Sequence, residues 1–314
     1  MPGRSLRPHL RPGRISWRAA TLVLAAAVVL AACGQARAPI GPSADSDALR
    51  VTATTTVIAD IVKAVGGTRT SVQSIVPPGV GPEDYEPRPA DARAIADARL
   101  LVSNGLGLDT FLDRLIRSSG SEGAARLVLG DGLPAIDVDG EPNPHFWLDP
   151  TIVRDGYLPK IVAALSAAAP ADGPTFAANA AAYAKQLDAL DAELQAQVAA
   201  IPPANRKLVT FHDAFPYFAR HFGFELVGVV LANAGQEPTA ADLAALVQKV
   251  RATHVKAVFS EAQFNPKLAQ TLAQEAGIQQ VVTTLYNDAL GPAPADSYPG
   301  MMRWNMQQIV DALR

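Results

Sequence analysis

One cysteine, Cys33, in 314 residues leaves this chain with no internal disulfide and no cysteine-rich zinc site. Charge is also sparse. Charged residues make up 18% of the chain and the net charge is −3, so no basic surface recommends a nucleic-acid partner. Histidine is scarce enough that each of the five, His9, His145, His212, His221 and His254, is worth placing. HExxH, GxSxG and phosphate-cradling glycine loops are missing, which argues against an enzyme of the common hydrolytic or nucleotide-dependent kinds. What the chain does have is apolar mass. Hydrophobic residues reach 49%, and the length is comfortable for two lobes with sizeable cores.

The N-terminus reads as an address. Arg4, Arg7, Arg11, Arg14 and Arg18 precede an apolar run, Ala19–Ala32, of 14 residues interrupted only by Thr21. That run falls short of the roughly 20 residues needed to span a bilayer. A basic flank, a short apolar core and small residues describe a secretory signal over residues 1–32. The cut site, Leu30-Ala31-Ala32-Cys33, resembles the bacterial lipobox. That resemblance implies a diacylglyceryl group on Cys33 and a protein anchored to the outer face of the cytoplasmic membrane or held in the periplasm. Residues 33–48, small, polar and proline-containing, read as a flexible tether.

From Leu49 onward β-rich runs alternate with helical ones, the pattern of parallel sheets covered by helices. Strands are expected at Arg50–Ala53, Ser71–Val76, Leu100–Ser103, Arg126–Leu129, Lys207–Phe211, Glu225–Val230, Lys256–Ser260 and Gln280–Thr284. A single helix is expected over Thr151–Ala168. The stretch Pro174–Ala200 differs from its surroundings. Phe176, Tyr183, Leu187, Leu190, Leu194 and Val198 recur at helical spacing. At 1.5 Å per residue they describe a rod of roughly 40 Å. The expected fold is α/β: two (β/α) lobes with parallel sheets, residues 49–171 and 203–314, bridged by one long rigid helix within 172–202.

Four polar segments could carry chemistry: Pro82-Glu83-Asp84-Tyr85-Glu86-Pro87, Asn143-Pro144-His145-Phe146-Trp147-Leu148-Asp149-Pro150, Phe211-His212-Asp213-Ala214-Phe215, and Tyr286-Asn287-Asp288-Ala289-Leu290-Gly291. Most follow strands, where open α/β sheets bind ligands. Two fall in each half, so a cleft between the halves could gather them.

These segments carry a resemblance. Asn143–Pro150, Phe211–Phe218, Ser260-Glu261-Ala262-Gln263-Phe264 and Glu237-Pro238-Thr239 resemble, in order and spacing, the motifs of the zinc/manganese-type metal-binding lipoproteins that serve ABC importers. The resemblance covers nearly the whole mature chain. It implies a monomer that binds one Zn²⁺, Mn²⁺ or Fe²⁺ ion and delivers it to an ABC permease in the membrane. It also implies metal ligands at His145, His212 and Asp288. The first family ligand is a histidine in a segment resembling PHDYEP; here Glu83 holds that place, a departure that bears on metal preference. Two imidazoles and two carboxylates would make a neutral site around a divalent ion. Carboxylates shift preference toward harder ions, and the histidines keep zinc available.

Other residues read more plainly. Glu261 could support a ligand from behind. Asp149 and Asp213 read as helix caps, and His221 and His254 as surface residues near helix ends. Asp84 or Glu86 could replace Glu83, and Asp296 could replace Asp288. The rival function is an ABC-importer receptor for an iron chelate, haem or a corrinoid. It would need a wide aromatic or arginine-lined cleft instead of convergent histidines and acids. A metal-dependent hydrolase would need an open coordination position.

Overall fold

Strand β1 (Leu49–Ala53) opens the fold because its alternate residues feed a buried face. It is followed by α1 (Thr56–Gly66), β2 (Thr70–Ser74), α2 (Pro89–Ala96), β3 (Leu100–Ser103), α3 (Phe111–Ser119) and β4 (Ala125–Val128). These strands form one parallel sheet in the order β2-β1-β3-β4. The second half contributes β7 (Lys207–His212), α7 (Pro216–Phe222), β8 (Glu225–Leu231), α8 (Ala240–Thr253), β9 (Ala257–Glu261), α9 (Lys267–Ala276), β10 (Gln280–Leu285) and α10 (Tyr298–Leu313). Its sheet, ordered β10-β9-β7-β8, is also parallel. This computed structural model describes residues 48–314 apart from 84, 120–122 and 232–237. The signal 1–32, Cys33, the tether up to residue 47, Asp84 and Glu237 lie outside the described residues.

Between the sheets run β5 (Asp137–Val138), β6 (Glu141–Pro142), a 3₁₀ turn (Phe146–Leu148), α4 (Pro150–Ile152), a π turn (Val153–Tyr157), α5 (Leu158–Ala168) and the long helix α6 (Gly173–Val198). The single helix expected over Thr151–Ala168 is therefore interrupted. Pro159 has no N–H to give the carbonyl of Asp155, and the helical register widens by a residue just before it. The β5–β6 hairpin had no counterpart among the expected strands. Its turn, Asp139-Gly140, has both residues at positive φ, +52° and +90°.

Helix α6 is 26 residues long and buries Phe176, Ala180, Tyr183, Leu187, Leu190, Leu194 and Val198 along one stripe. That length corresponds to about 39 Å. The stripe packs on α1 and α5 from the first half and on α7 and α10 from the second. Residues from both halves, such as Ile61, Leu165, Phe218 and Met306, thus share one apolar core with it. Polar ties reinforce the packing. Asn179 of α6 donates to the Val65 carbonyl at 2.9 Å, and the Leu290 and Tyr298 amides donate to Thr56 Oγ1 and Asp60 Oδ2, each at 2.8 Å. Leu190 is fully buried. Its replacement by alanine is expected to cost about 2–5 kcal/mol of unfolding free energy in chemical denaturation, the usual result of a core cavity. A loss under about 1 kcal/mol would mean that the stripe collapses around the gap. Among the described residues no helix is long and apolar enough to cross a membrane.

Candidate metal centre

The second half delivers its side chains from the carboxyl ends of strands or just beyond them. His212 is the last residue of β7 and Glu261 the last of β9; Asp288 follows β10 by three residues. His145 immediately precedes the 3₁₀ turn Phe146–Leu148 in the first half. Parallel strands all point the same way, so the sheet of the second half brings His212, Glu261 and Asp288 to one edge.

The two imidazoles meet across the halves. His145 Nε2 and His212 Nε2 lie 3.3 Å apart. Asp288 Oδ1 is 3.3 Å from His145 Nε2, and Asp288 Oδ2 is 3.5 Å from His212 Nε2. A tetrahedral ion with bonds of about 2.0–2.1 Å holds its donors about 3.3–3.4 Å from one another. The observed spacing is thus the edge of such a tetrahedron. Glu83 joins from the loop after β2, with a donor atom from each of Glu83, His145 and His212 within 4.8 Å of the others. His145, His212 and Asp288 are buried, whereas Glu83 is exposed. Glu83, His145 and His212 line a cleft of about 460 Å³ walled in part by the β5–β6 hairpin residues Val138, Asp139, Glu141 and Pro142.

A second ring of polar groups aims the donors. Asn143 Oδ1 lies 3.0 Å from His145 Nδ1 and accepts from the His145 backbone N–H at 3.1 Å. With Nδ1 turned to that carbonyl oxygen, Nε2 is left to face the cleft. The Asn143 amide in turn donates to the carbonyl of Asp213 at 2.7 Å and to its Oδ2 at 3.1 Å, tying the two histidine segments together. His212 Nδ1 meets Glu261 Oε1 at 2.8 Å, and Asn287 Nδ2 donates to the same oxygen at 3.1 Å. Trp147 Nε1 donates to the Asn287 carbonyl at 2.7 Å and Tyr298 Oη donates to the Trp147 carbonyl at 2.7 Å, again linking the halves. Asp288 Oδ1 and Glu261 Oε2 are buried without hydrogen-bond partners.

The electrostatics are those of a site awaiting positive charge. Burial disfavours the charged form of His212, yet the fields of Glu261, Asp288 and Glu83 outweigh it and push the imidazole pKa up to about 10. Burial would raise Asp288, but the two imidazoles and the Gln263 amide hold its carboxyl below the usual range. Glu261 adds a third carboxylate to the two counted in the neutral-site reckoning.

Several expectations need correction. Asp213 caps no helix: its Oδ2 accepts from Asn143, and the residue preceding α7 is Phe215. His221 is not a surface residue, being largely enclosed with Nε2 2.5 Å from Asp191 Oδ1 and Nδ1 3.4 Å from Asp149 Oδ1. It sits there because α7 packs against α6 and carries His221 over the Asp149 cap. Asp149 does cap α4, accepting from the Thr151 N–H at 2.9 Å. His254 is exposed at the end of α8. Asp296 is exposed and its charge acts on Asp60, while Asp288 faces the imidazoles; Glu86 is exposed. Asn143, Gln263 and Asn287 stood inside the singled-out segments without a role. Their amides beside histidine and carboxylate were the available signal.

Residues 51–312 match the family model described as zinc-uptake complex component A, periplasmic. The chain belongs to this family. The manganese-binding lipoprotein MntA of Halalkalibacterium halodurans is 31% identical over 295 residues, covering 93% of this chain and 97% of MntA. The iron ABC transporter substrate-binding lipoprotein MtsA of Streptococcus pyogenes serotype M1 is 28% identical over 285 residues, covering 86% and 91%. A Mn-bound periplasmic metal binding protein from Candidatus Liberibacter asiaticus has the same fold, with a TM-score of 0.77 and 26% identity over 85% of this chain and 100% of that one. As a zinc-uptake component A protein, this chain is a metal-binding, substrate-binding protein of an ABC importer, and a transport protein instead of an enzyme. The rival reading as a receptor for an iron chelate, haem or corrinoid is not favoured, since the relatives are named for metals.

Proposed function

We propose that this chain captures one divalent ion, manganese, ferrous iron or zinc, between Glu83, His145, His212 and Asp288 and presents it to a membrane permease. The observation that carries this reading is the 3.3 Å approach of two imidazole nitrogens from opposite halves, with Asp288 Oδ1 3.3 Å from one of them. In the empty site the proton on His212 can bridge the two Nε2 positions. An ion between them gives both lone pairs, and the unpartnered Asp288 oxygen, a common partner. The ion enters through the cleft, exchanges water for two nitrogens and two oxygens, and displaces the proton that His212 holds in its absence. Glu261 and Asn143 keep the two Nδ1 positions occupied throughout.

In this reading the mature chain begins at a lipidated Cys33, residues 33–48 tether it, and lobes 49–171 and 203–314 flank the helix as a monomer. The test is elemental analysis of purified protein followed by competitive titration with zinc, manganese and ferrous iron. One ion per chain supports the reading; a chain that holds none after loading overturns it. Selectivity provides a second check. Replacing Glu83 with histidine exchanges an oxygen donor for a nitrogen donor. The zinc-to-manganese affinity ratio is then expected to rise about tenfold or more, following ligand softness. An unmoved ratio would place Glu83 outside the coordination sphere.

A further inference from the structure

Asp288 reaches the proposed ion site with its two oxygens treated differently. Oδ1 has no hydrogen-bond partner and lies 3.3 Å from His145 Nε2. Oδ2 accepts from Gln263 Nε2 at 3.0 Å and stands slightly farther from its imidazole, 3.5 Å from His212 Nε2. The donor's position is well defined. Gln263 sits in the turn after β9, where the Ala262 N–H donates to the Leu285 carbonyl at 3.0 Å and the Phe264 N–H to the Glu261 carbonyl at 3.2 Å. Residues before and after it touch His212: Glu261, two positions earlier, through the Nδ1 contact, and Phe264, the next residue, by an edge-on ring contact at 5.3 Å. The same amide nitrogen reaches the loop that carries Glu83. A Cβ placed on Gly81 would come within 3.3 Å of Gln263 Nε2. One side chain therefore lies against two of the four proposed donor segments.

We propose that Gln263 is a specificity-determining positioning residue, which engages Oδ2 of Asp288 through its N–H, weakens that oxygen as a second donor and so favours binding of the ion through Oδ1 alone. This rests on the ion site proposed above. A carboxylate with both oxygens free can chelate and raise the coordination number, which suits manganese and ferrous iron. A carboxylate with one oxygen engaged completes a four-donor set with Glu83 and two imidazoles, the number that zinc favours. The oxygen-rich donor set pulls selectivity toward harder ions, and the Gln263 amide pulls it back.

Cobalt(II) reads coordination number directly, because four-coordinate cobalt absorbs visible light far more strongly than five- or six-coordinate cobalt. The wild-type chain loaded with Co²⁺ is expected to show intense visible bands. Gln263→Met, which keeps the length and bulk of the side chain but has no donor, is expected to weaken those bands several-fold. It is also expected to lower the zinc-to-manganese affinity ratio about tenfold, the scale on which residues behind metal ligands act. Gln263→Ala should do the same. The inference is overturned if Gln263→Met keeps both the wild-type bands and the wild-type ratio, even where Gln263→Ala loses them, since bulk alone would then suffice. A wild-type chain that takes up no cobalt, zinc or manganese overturns the ion site itself, and this inference with it.

Discussion

Changing His145 to alanine is expected to weaken metal binding on the order of 10²- to 10³-fold, with circular dichroism unchanged. Structural zinc sites of four donors bind with about 10–16 kcal/mol in all, and a quarter of that, about 2.5–4 kcal/mol, sets the scale for one donor. The fold does not depend on the ring to the same degree. Asn143 Oδ1 keeps its bond to the His145 backbone N–H, and the Asn143 amide keeps its two bonds to Asp213. His212→Ala should match it in affinity loss but cost more stability. Glu261 would lose its imidazole partner and remain buried, with only Asn287 donating to it. Isothermal titration with a chelator as competitor measures the first quantity and urea unfolding the second. Tight binding retained in both variants would remove the imidazoles from the site.

Acid is expected to strip the metal well before it unfolds the chain. In the metal-free protein the His212 pKa stands at about 10, so the ring is charged throughout the neutral range. Its Nδ1 faces Glu261, which leaves Nε2 as the position where proton and metal compete. Each unit of pH below that value then costs about a factor of ten in affinity, or about a hundredfold between pH 7.5 and 5.5. Binding at neutral pH should release about one proton, measurable in buffers of different ionisation enthalpy. The linkage to stability has the opposite sign for the metal-free chain. A folded pKa raised from 6.5 to about 10 adds stability that is complete below pH 6.5 and disappears as pH rises toward 10. Raising the pH should therefore loosen the empty protein while tightening its hold on the ion. Affinity that stays flat from pH 5.5 to 7.5 would contradict this account.

The long helix and the parallel strands were readable because burial there imposes strict periods. The apolar steps from Phe176 to Val198 survive unchanged in α6, and the strand expected at Leu100–Ser103 falls on β3. Strand ends were off by a residue or two. Ile75 and Val76 still donate to Ala53 and Thr54, so pairing persists where the regular ladder of β2 has ended. The β5–β6 hairpin escaped because its strands are only two residues each, too short for any alternation to register. Its Asp139-Gly140 turn was nonetheless a recognisable hairpin signal. At the site, histidine and aspartate stood out through scarcity and context. The amides that orient them did not, because asparagine and glutamine are as common in solvated loops as behind metal ligands. The placement of His221 depended on which faces of α6 and α7 meet, and no local pattern encodes that.

The unequal burial of the four proposed donors carries a kinetic consequence. His145, His212 and Asp288 are buried, and of the four Glu83 alone is exposed. An ion held this way exchanges with water by unlatching one donor, with the other three retained until that latch has opened. For the proposed ligand set, residence time would then be set by a short stretch of surface backbone, and a permease that gripped that stretch could empty the protein without bending the 26-residue helix.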